Sequence, residues 1–270
     1  MNAEGNVDAL LAISSATLTE IGGRAGNQDR LGLAEQDELA CFVVADGVGG
    51  LQGGEIASAV VVDAIVERVV QESLFGERAL RAYVDFATAR LAARKLAEPA
   101  LKDMSATVAA VLIDRQNRLA VFAHLGDTRI YLFRAGRLRQ VTKDHSLVQQ
   151  FIDAGYCAPE QLRTHALRST LFAAVGIESE TPIEAIAPAV GLEAGDALLI
   201  CTDGFWEWLP DAAMEQAFDG ARTVDEWLDN MAAAAAVVHR ASRKDRDNAS
   251  AIAVWISEPP SAQTQRHETD

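Results

Sequence analysis

"FVVADGVGGLQGGEIAS" (residues 42–58) joins an apolar run to an aspartate, then places five glycines within eight residues before a helical segment begins. Two readings compete for it. A glycine-rich turn between strand and helix can cradle a phosphate; alternatively, Asp46 is the working group and the glycines clear space around it. A dinucleotide fingerprint starting at Gly47 needs glycine where Gln52 stands, and a P-loop needs lysine where Glu55 follows Gly54. An aspartate beside a phosphate seat would also repel the ligand unless a cation intervened. The stretch therefore reads as a buried strand that delivers Asp46 to the open end of a sheet.

Working outward, strand-like runs fall at 15–21, 39–45, 106–113, 118–125, 128–134, 137–142, 183–187, 196–202 and 249–256. "DRQN" and "RAGR" serve as hairpin turns. Helical segments fall at 54–72, 77–97, 145–154, 210–218 and 223–240. In the last of these Val224, Trp227, Leu228 and Met231 share one face, and "TVDE" offers a capping box. Two helices in succession and long unbroken series of strands argue against βαβ alternation. The expected fold is α+β, a four-layer α-β-β-α sandwich of two antiparallel sheets flanked by helices. The expected domain spans 15–256, after a lead-in at 1–14 and before a disordered tail at 257–270.

The chain has 270 residues and a formal net charge of −15, which disfavours nucleic acid and anionic membranes as partners. It shows no leader pattern and no stretch near the ~18 apolar residues that a membrane helix needs, so a cytoplasmic location is expected. Cys41, Cys157 and Cys201 are widely spaced and form no CxxC pair.

Asp203 repeats the arrangement at Asp46: "DALLICTDG" is an apolar strand, then Asp, then Gly. "RDN", with Asp247 and Asn248, directly precedes the strand "ASAIAVWI". Asp-Gly is also an ordinary turn signal, but three strand-end aspartates can converge on one sheet edge. Two carboxylates ~5 Å apart repel by roughly 3 kcal/mol at an effective dielectric near 20, so such a cluster calls for a cation or a raised pKa. The five histidines have no metal-ligand spacing, and oxygen donors favour Mg²⁺ or Mn²⁺ over Zn²⁺. Two such ions can acidify a water for attack on phosphorus. "GGRAGNQDR" (22–30) adds Arg24, suited to phosphate oxygens, and Asp29, suited to metal-bound waters.

"GRAGNQDR", "VVADGVGG", "GGEIAS", "LGDTRIYLFRAGRLRQVTKDHS", "CTDGFWEWL" and "RDNASAIAV" occur in the order found in the metal-dependent protein phosphatases, the 2C type or PPM family. The chain resembles their bacterial serine/threonine members most. The resemblance implies hydrolysis of phosphoserine and phosphothreonine by a metal-bridged hydroxide, with two Mn²⁺ or Mg²⁺ ions and, in bacterial relatives, a third. It implies that Asp46 bridges the ions, that the carbonyl of Gly47 binds one, and that Asp203 and Asp247 complete the other. Arg24 resembles the phosphate-binding arginine, and Asp29 the acid that holds bound waters. On this reading the glycines leave room for the metal and expose the Gly47 carbonyl. Implied partners are phosphorylated proteins in signalling, among them a serine/threonine kinase and its substrates.

The chain departs from the family pattern in places. Val48 stands where some members have a histidine proposed as general acid, and Gln28 where eukaryotic members often have glutamate. For a third ion, Asp103 in "LKDMSAT" is the nearest carboxylate, although the simplest register puts Lys102 at that place. Segment 145–190 resembles the mobile flap that shapes substrate access, with His145 bracing its start. Two other readings stay open. A phosphatase acting on an anti-sigma-factor antagonist would be favoured by a fused sensor domain. A binding module without turnover would be expected to have lost Arg24 or a metal aspartate.

Overall fold

The computed structural model describes residues 10–48, 53–177, 184–242 and 244–259. In chain order the strands are β1 (Ala12–Glu20), β2 (Asp29–Glu35), β3 (Leu39–Val48), β4 (Ser105–Ala106), β5 (Val108–Asp114), β6 (Leu119–Leu125), β7 (Arg129–Arg134), β8 (Arg137–Gln140), β9 (Glu184–Gly191), β10 (Ala197–Cys201) and β11 (Ala249–Ser257). The helices are α1 (Gly54–Glu72), α2 (Glu77–Ala97), α3 (Leu147–Asp153), α4 (Asp203–Trp206), α5 (Asp211–Asp219) and α6 (Val224–Ala241). One sheet has the order β1-β11-β10-β7-β8; the other has β2-β3-β5-β6-β9, with β4 paired to β3. All pairings are antiparallel.

Strict alternation within nearly continuous apolar strands builds the layers. Phe42 and Val44 of β3, Val111 and Ile113 of β5, Leu198 and Ile200 of β10, and Ile252, Val254 and Ile256 of β11 meet in a core between the sheets. The intervening residues, such as Cys41 and Val43, Ala110 and Leu112, face outward onto α1 and α2. On the other sheet Leu199, Cys201, Ala251 and Ala253 face α5 and α6. A strand covered on both faces reads as an unbroken apolar run, which is how these strands look in the sequence. Fully burying one such side chain stabilises the fold by about 1.5–3 kcal/mol. Trp227 of α6 seats its helix on the sheet by edge contacts with Phe133 and Phe218, at 4.9 and 5.2 Å between ring centroids.

Local details follow from residue type. The "RAGR" hairpin turns on Ala135 and Gly136, both at positive φ (50° and 73°), as a two-residue primed turn requires. Thr223 caps α6 by accepting from the Glu226 N–H at 3.1 Å; the Glu226 carboxylate reaches back to the N–H of Arg222, not to that of Thr223.

The architecture is the expected α+β sandwich of two antiparallel sheets with helices outside. Strand β2 is an addition to the sequence reading: "DRLGLAE" is an edge strand with charged ends and a central glycine, so its apolar pattern is weak. β1 begins at Ala12, inside the expected lead-in; most of the expected tail lies outside the described residues. The expected flap, 145–190, is not one body. Residues 173–175 are buried and bridge to β4 through Ala106 and Val175, and 184–191 form a sheet strand, so the part outside the sandwich is about 147–170.

Candidate metal centre

The alternation that fills the space between the sheets continues to one end, where the side chains turn from apolar to polar. On β3 the row Ala40, Phe42, Val44 ends in Asp46; on β11 the row Ile256, Val254, Ile252 runs back to Ser250 and Asn248. Thr107, Thr128 and Thr202 close the corresponding rows of β5, β7 and β10. These groups bond to one another: the Asp46 N–H donates to Thr107 Oγ1 (2.9 Å), and Thr107 and Thr128 share a hydroxyl contact of 2.5 Å. Thr202 Oγ1 donates across the sandwich to Asp29 Oδ2 (2.9 Å) and accepts from the Ser250 N–H.

A cavity of about 850 Å³ opens above this polar layer, lined by Asp46, Gly47, Asp127, Asp203 and Asp247 and by Arg24 at its rim. Asp29 lies beneath, opposite Asp46 in the β2–β3 register. Asp203 opens the short helix α4 just after β10, and Asp247 precedes β11. Close backbone contact brings these loops together. A Cβ on Gly204 would fall 2.0 Å from the carbonyl oxygen of Asn248, so only glycine lets α4 press against the Asp247 loop. A Cβ on Gly47 would fall 2.0 Å from the carbonyl oxygen of Gly54, the first residue of α1. The expectation that glycine here leaves room for metal is thus corrected at Gly47: the space is taken by helix α1. Gly49 and Gly50 lie outside the described residues.

Asn248 ties the arginine loop to the site. Its amide donates to the carbonyls of Ile21 (2.8 Å) and Gly26 (3.0 Å) and accepts from the Gln28 N–H (2.9 Å). Arg24, 59% exposed, reaches back to Asp247 Oδ2 at 2.5 Å. On the other side Arg168 stands 3.8 Å from Asp203 Oδ2 and pairs with Glu207.

The electrostatics mark a site short of positive charge. Burial pushes the Asp29 carboxyl up to about 7, helped by Asp203 and Asp247 and opposed by the Ser250 and Thr202 hydroxyls. Burial raises Asp46 well above the carboxylate range, with Asp29, Asp203, Asp127 and Asp247 adding repulsion. Asp127 is raised by burial and then by Asp203; Asp203 is raised by burial, with Arg168 pulling the other way. Asp29 Oδ1 is buried without a hydrogen-bond partner. Among the described residues no three metal-binding side chains close round a single point. Any ion held here would therefore complete its shell with backbone carbonyl and water, the habit of Mg²⁺ and Mn²⁺. The donor set, the uncompensated charge and the orphaned oxygen fit divalent cations.

The structure brings Arg24, Asp29, Asp46, Gly47, Asp203 and Asp247 together, as expected. Asp103 is a correction. It is exposed in the turn between Leu101 and Met104, whose buried side chains anchor that turn and leave Lys102 and Asp103 outside the cavity. Asp127, to which the sequence reading gave no role, lies in the cavity instead. A signal was present: it stands at the end of the apolar strand β6, as Asp46 and Asp203 stand at the ends of theirs, but with the glycine before the aspartate and not after it. His145 braces its segment as expected. Its backbone N–H donates to the Gly126 carbonyl, its Nδ1 accepts from the Gly126 N–H (3.0 Å), and its ring stacks on His124.

A family model described as "Protein phosphatase 2C" matches residues 20–245. A serine/threonine phosphatase stp of Listeria monocytogenes is 30% identical over 214 residues, 76% of this chain and 82% of that protein. The serine/threonine protein phosphatase PstP of Mycobacterium tuberculosis is 34% identical over 197 residues, 72% of this chain but 36% of that protein. The crystal structure of a PstP catalytic domain in complex with two manganese ions superposes with a TM-score of 0.76 at 28% identity, covering 92% of this chain and 99% of that one.

Proposed function

The chain belongs to the protein phosphatase 2C family and is a serine/threonine protein phosphatase, and from that premise we propose how its site works. The chain hydrolyses phosphoserine and phosphothreonine in proteins directly, with two Mn²⁺ or Mg²⁺ ions held by Asp46, the Gly47 carbonyl, Asp203 and Asp247. Asp127, which faces Asp203, would hold the third ion in place of Asp103. When bound, the ions supply Lewis acidity and a water acidified for attack on phosphorus.

The chain's own residues do the rest. Arg24, on its loop fixed by Asn248, holds the phosphoryl oxygens with a planar fork. Asp29 receives the Thr202 hydroxyl at Oδ2 and would offer its unpartnered Oδ1 to a water. Val48 at the rim has no proton to donate, so the leaving serine or threonine oxygen takes its proton from water or another group. The observation that carries this reading is the convergence of five carboxylates on one cavity whose rim carries Arg24.

The proposal extends to a role opposing a bacterial serine/threonine kinase; the bacterial relatives named as serine/threonine phosphatases support the reaction class. Among the described residues no helix is long and apolar enough to cross a membrane. The test is hydrolysis of a phosphothreonine peptide by metal-stripped protein given Mn²⁺, Mg²⁺ or excess chelator. Turnover that appears only with added ion is expected. A folded, Mn²⁺-binding protein with no turnover would overturn the proposal.

A further inference from the structure

A second cavity, of about 590 Å³, runs along the outer surface between α1 and α2. Its floor is made of small and aliphatic side chains: Ile56, Ala59 and Val60 from α1, with Ala93 and Ala97 from α2. Acidic groups, Glu55 and Asp63, stand on the α1 side, and Arg90 and Arg94 stand on the α2 side. Glu55 lines both this groove and the catalytic cavity, so the two adjoin at the N-terminus of α1.

We propose that this groove seats the stretch of substrate protein next to the phosphorylated residue, with Glu55 receiving a basic side chain close to that residue. The inference rests on the phosphatase reading above and adds where the substrate chain runs. The nine residues from Glu55 to Asp63 span ~12 Å of helix, the length of roughly three to four residues of extended chain. That reach suits a peptide leaving the cavity.

The floor is free of charge and its side chains are short, so a main chain can lie close to it. The rim ion pairs beneath any docked chain are exposed ones: Asp63 with Arg30 at 3.0 Å, Arg90 with Glu67 at 3.3 Å and Arg94 with Glu98 at 2.8 Å. Such pairs contribute little and exchange partners readily. Glu55 makes no ion pair among the described residues, and the net charge of −15 draws basic segments toward the groove. A second copy of this chain would need roughly 800 Å² on each side for a stable interface, far more than a groove this short offers.

The test uses the Mn²⁺-loaded protein with three substrates: p-nitrophenyl phosphate, an eleven-residue phosphothreonine peptide with arginines beside the phosphoresidue, and the same peptide with glutamates there. Ala93→Trp fills the groove at an exposed position outside the catalytic cavity. It should leave p-nitrophenyl phosphate hydrolysis unchanged and lower kcat/KM on the arginine peptide by about tenfold, equivalent to 1.4 kcal/mol. Wild type should prefer the arginine peptide over the glutamate one by a similar factor, and Glu55→Gln should remove most of that preference. If Ala93→Trp slows both substrate types equally or neither, or if Glu55→Gln keeps the preference, the groove is not the seat. Wild-type protein that turns over none of the substrates overturns the phosphatase reading itself and the groove with it.

Discussion

Replacing Asp46 by asparagine should make the metal-free protein more stable while abolishing its turnover. Asp46 and Asp29 face each other in the β2–β3 register, where directly opposed residues have their Cβ atoms about 4.5–5.5 Å apart. When both are ionised they repel by roughly 3 kcal/mol at an effective dielectric near 20. The pH dependence follows from the direction of the shifts. A carboxyl raised in the folded state stabilises the fold fully below its unfolded pKa, and that stabilisation is lost as pH rises through the folded pKa. For Asp29 the window runs from 3.8 to about 7, and Asp46 is raised further in the same direction by burial and its four acidic neighbours. In chelator the repulsion grows with pH as the two raised carboxyls ionise, and at pH 9 Asp46→Asn should raise Tm by about 5–10 °C. At pH 5.5, nearer the side on which the raised carboxyl keeps its proton, the substitution should gain less in Tm. Excess Mn²⁺ should reverse the order, because wild type alone keeps the full charge of the carboxylate that would hold the ions. Differential scanning calorimetry at the two pH values, with and without Mn²⁺, reads all of these. An equal Tm gain at both pH values, or a loss at pH 9, would refute the reasoning.

Three further outcomes are expected. Asp127→Asn should lower kcat by on the order of tenfold, equivalent to 1.4 kcal/mol in the barrier, whereas Asp103→Ala should leave it unchanged in the same steady-state assay. Arg24→Ala should raise KM for a phosphopeptide by about tenfold or more with a smaller effect on kcat, the loss of one charged hydrogen-bond donor to phosphate. Arg129 and Asp144 form a buried bidentate pair, both bonds at 2.7 Å, with the guanidinium stacked 3.5 Å over Trp206. Arg129→Met should cost about 3–5 kcal/mol in urea unfolding by leaving Asp144 buried and unpaired, and Arg129→Met/Asp144→Leu should recover part of that.

Much of the fold and site was legible in the sequence, because strands buried on both faces are continuous apolar runs and their ends are marked by aspartate and glycine. Asp46 and Asp203 stand out by that pattern, and Asp247 by the "RDN" that directly precedes an apolar strand. β2 was obscured by its charges and Gly32, since an edge strand needs only part of its surface to be apolar. Asp103 and Asp127 were misjudged because proximity in space was inferred from proximity to a motif. Burial of Leu101 and Met104 decides that Asp103 faces water, and pairing of β7 with β10 decides that Asp127 does not. Partners such as Asn248 with Gln28 lie 220 residues apart, beyond the reach of any local pattern.

The position of β11 has a consequence for how the protein is made. This strand lies between β1 and β10, although more than two hundred residues separate it from β1. During synthesis β1 therefore waits without its neighbour until the segment around 249–257 has left the ribosome. Asp247 and Asn248, just ahead of that segment, arrive only then. A nascent chain thus exposes two unpaired strand edges that invite aggregation or chaperone capture. It also has no complete phosphate site, so activity should appear late and all at once, never gradually along the growing chain. A premature stop ahead of residue 247 should yield an inert and insoluble fragment, not a weak enzyme.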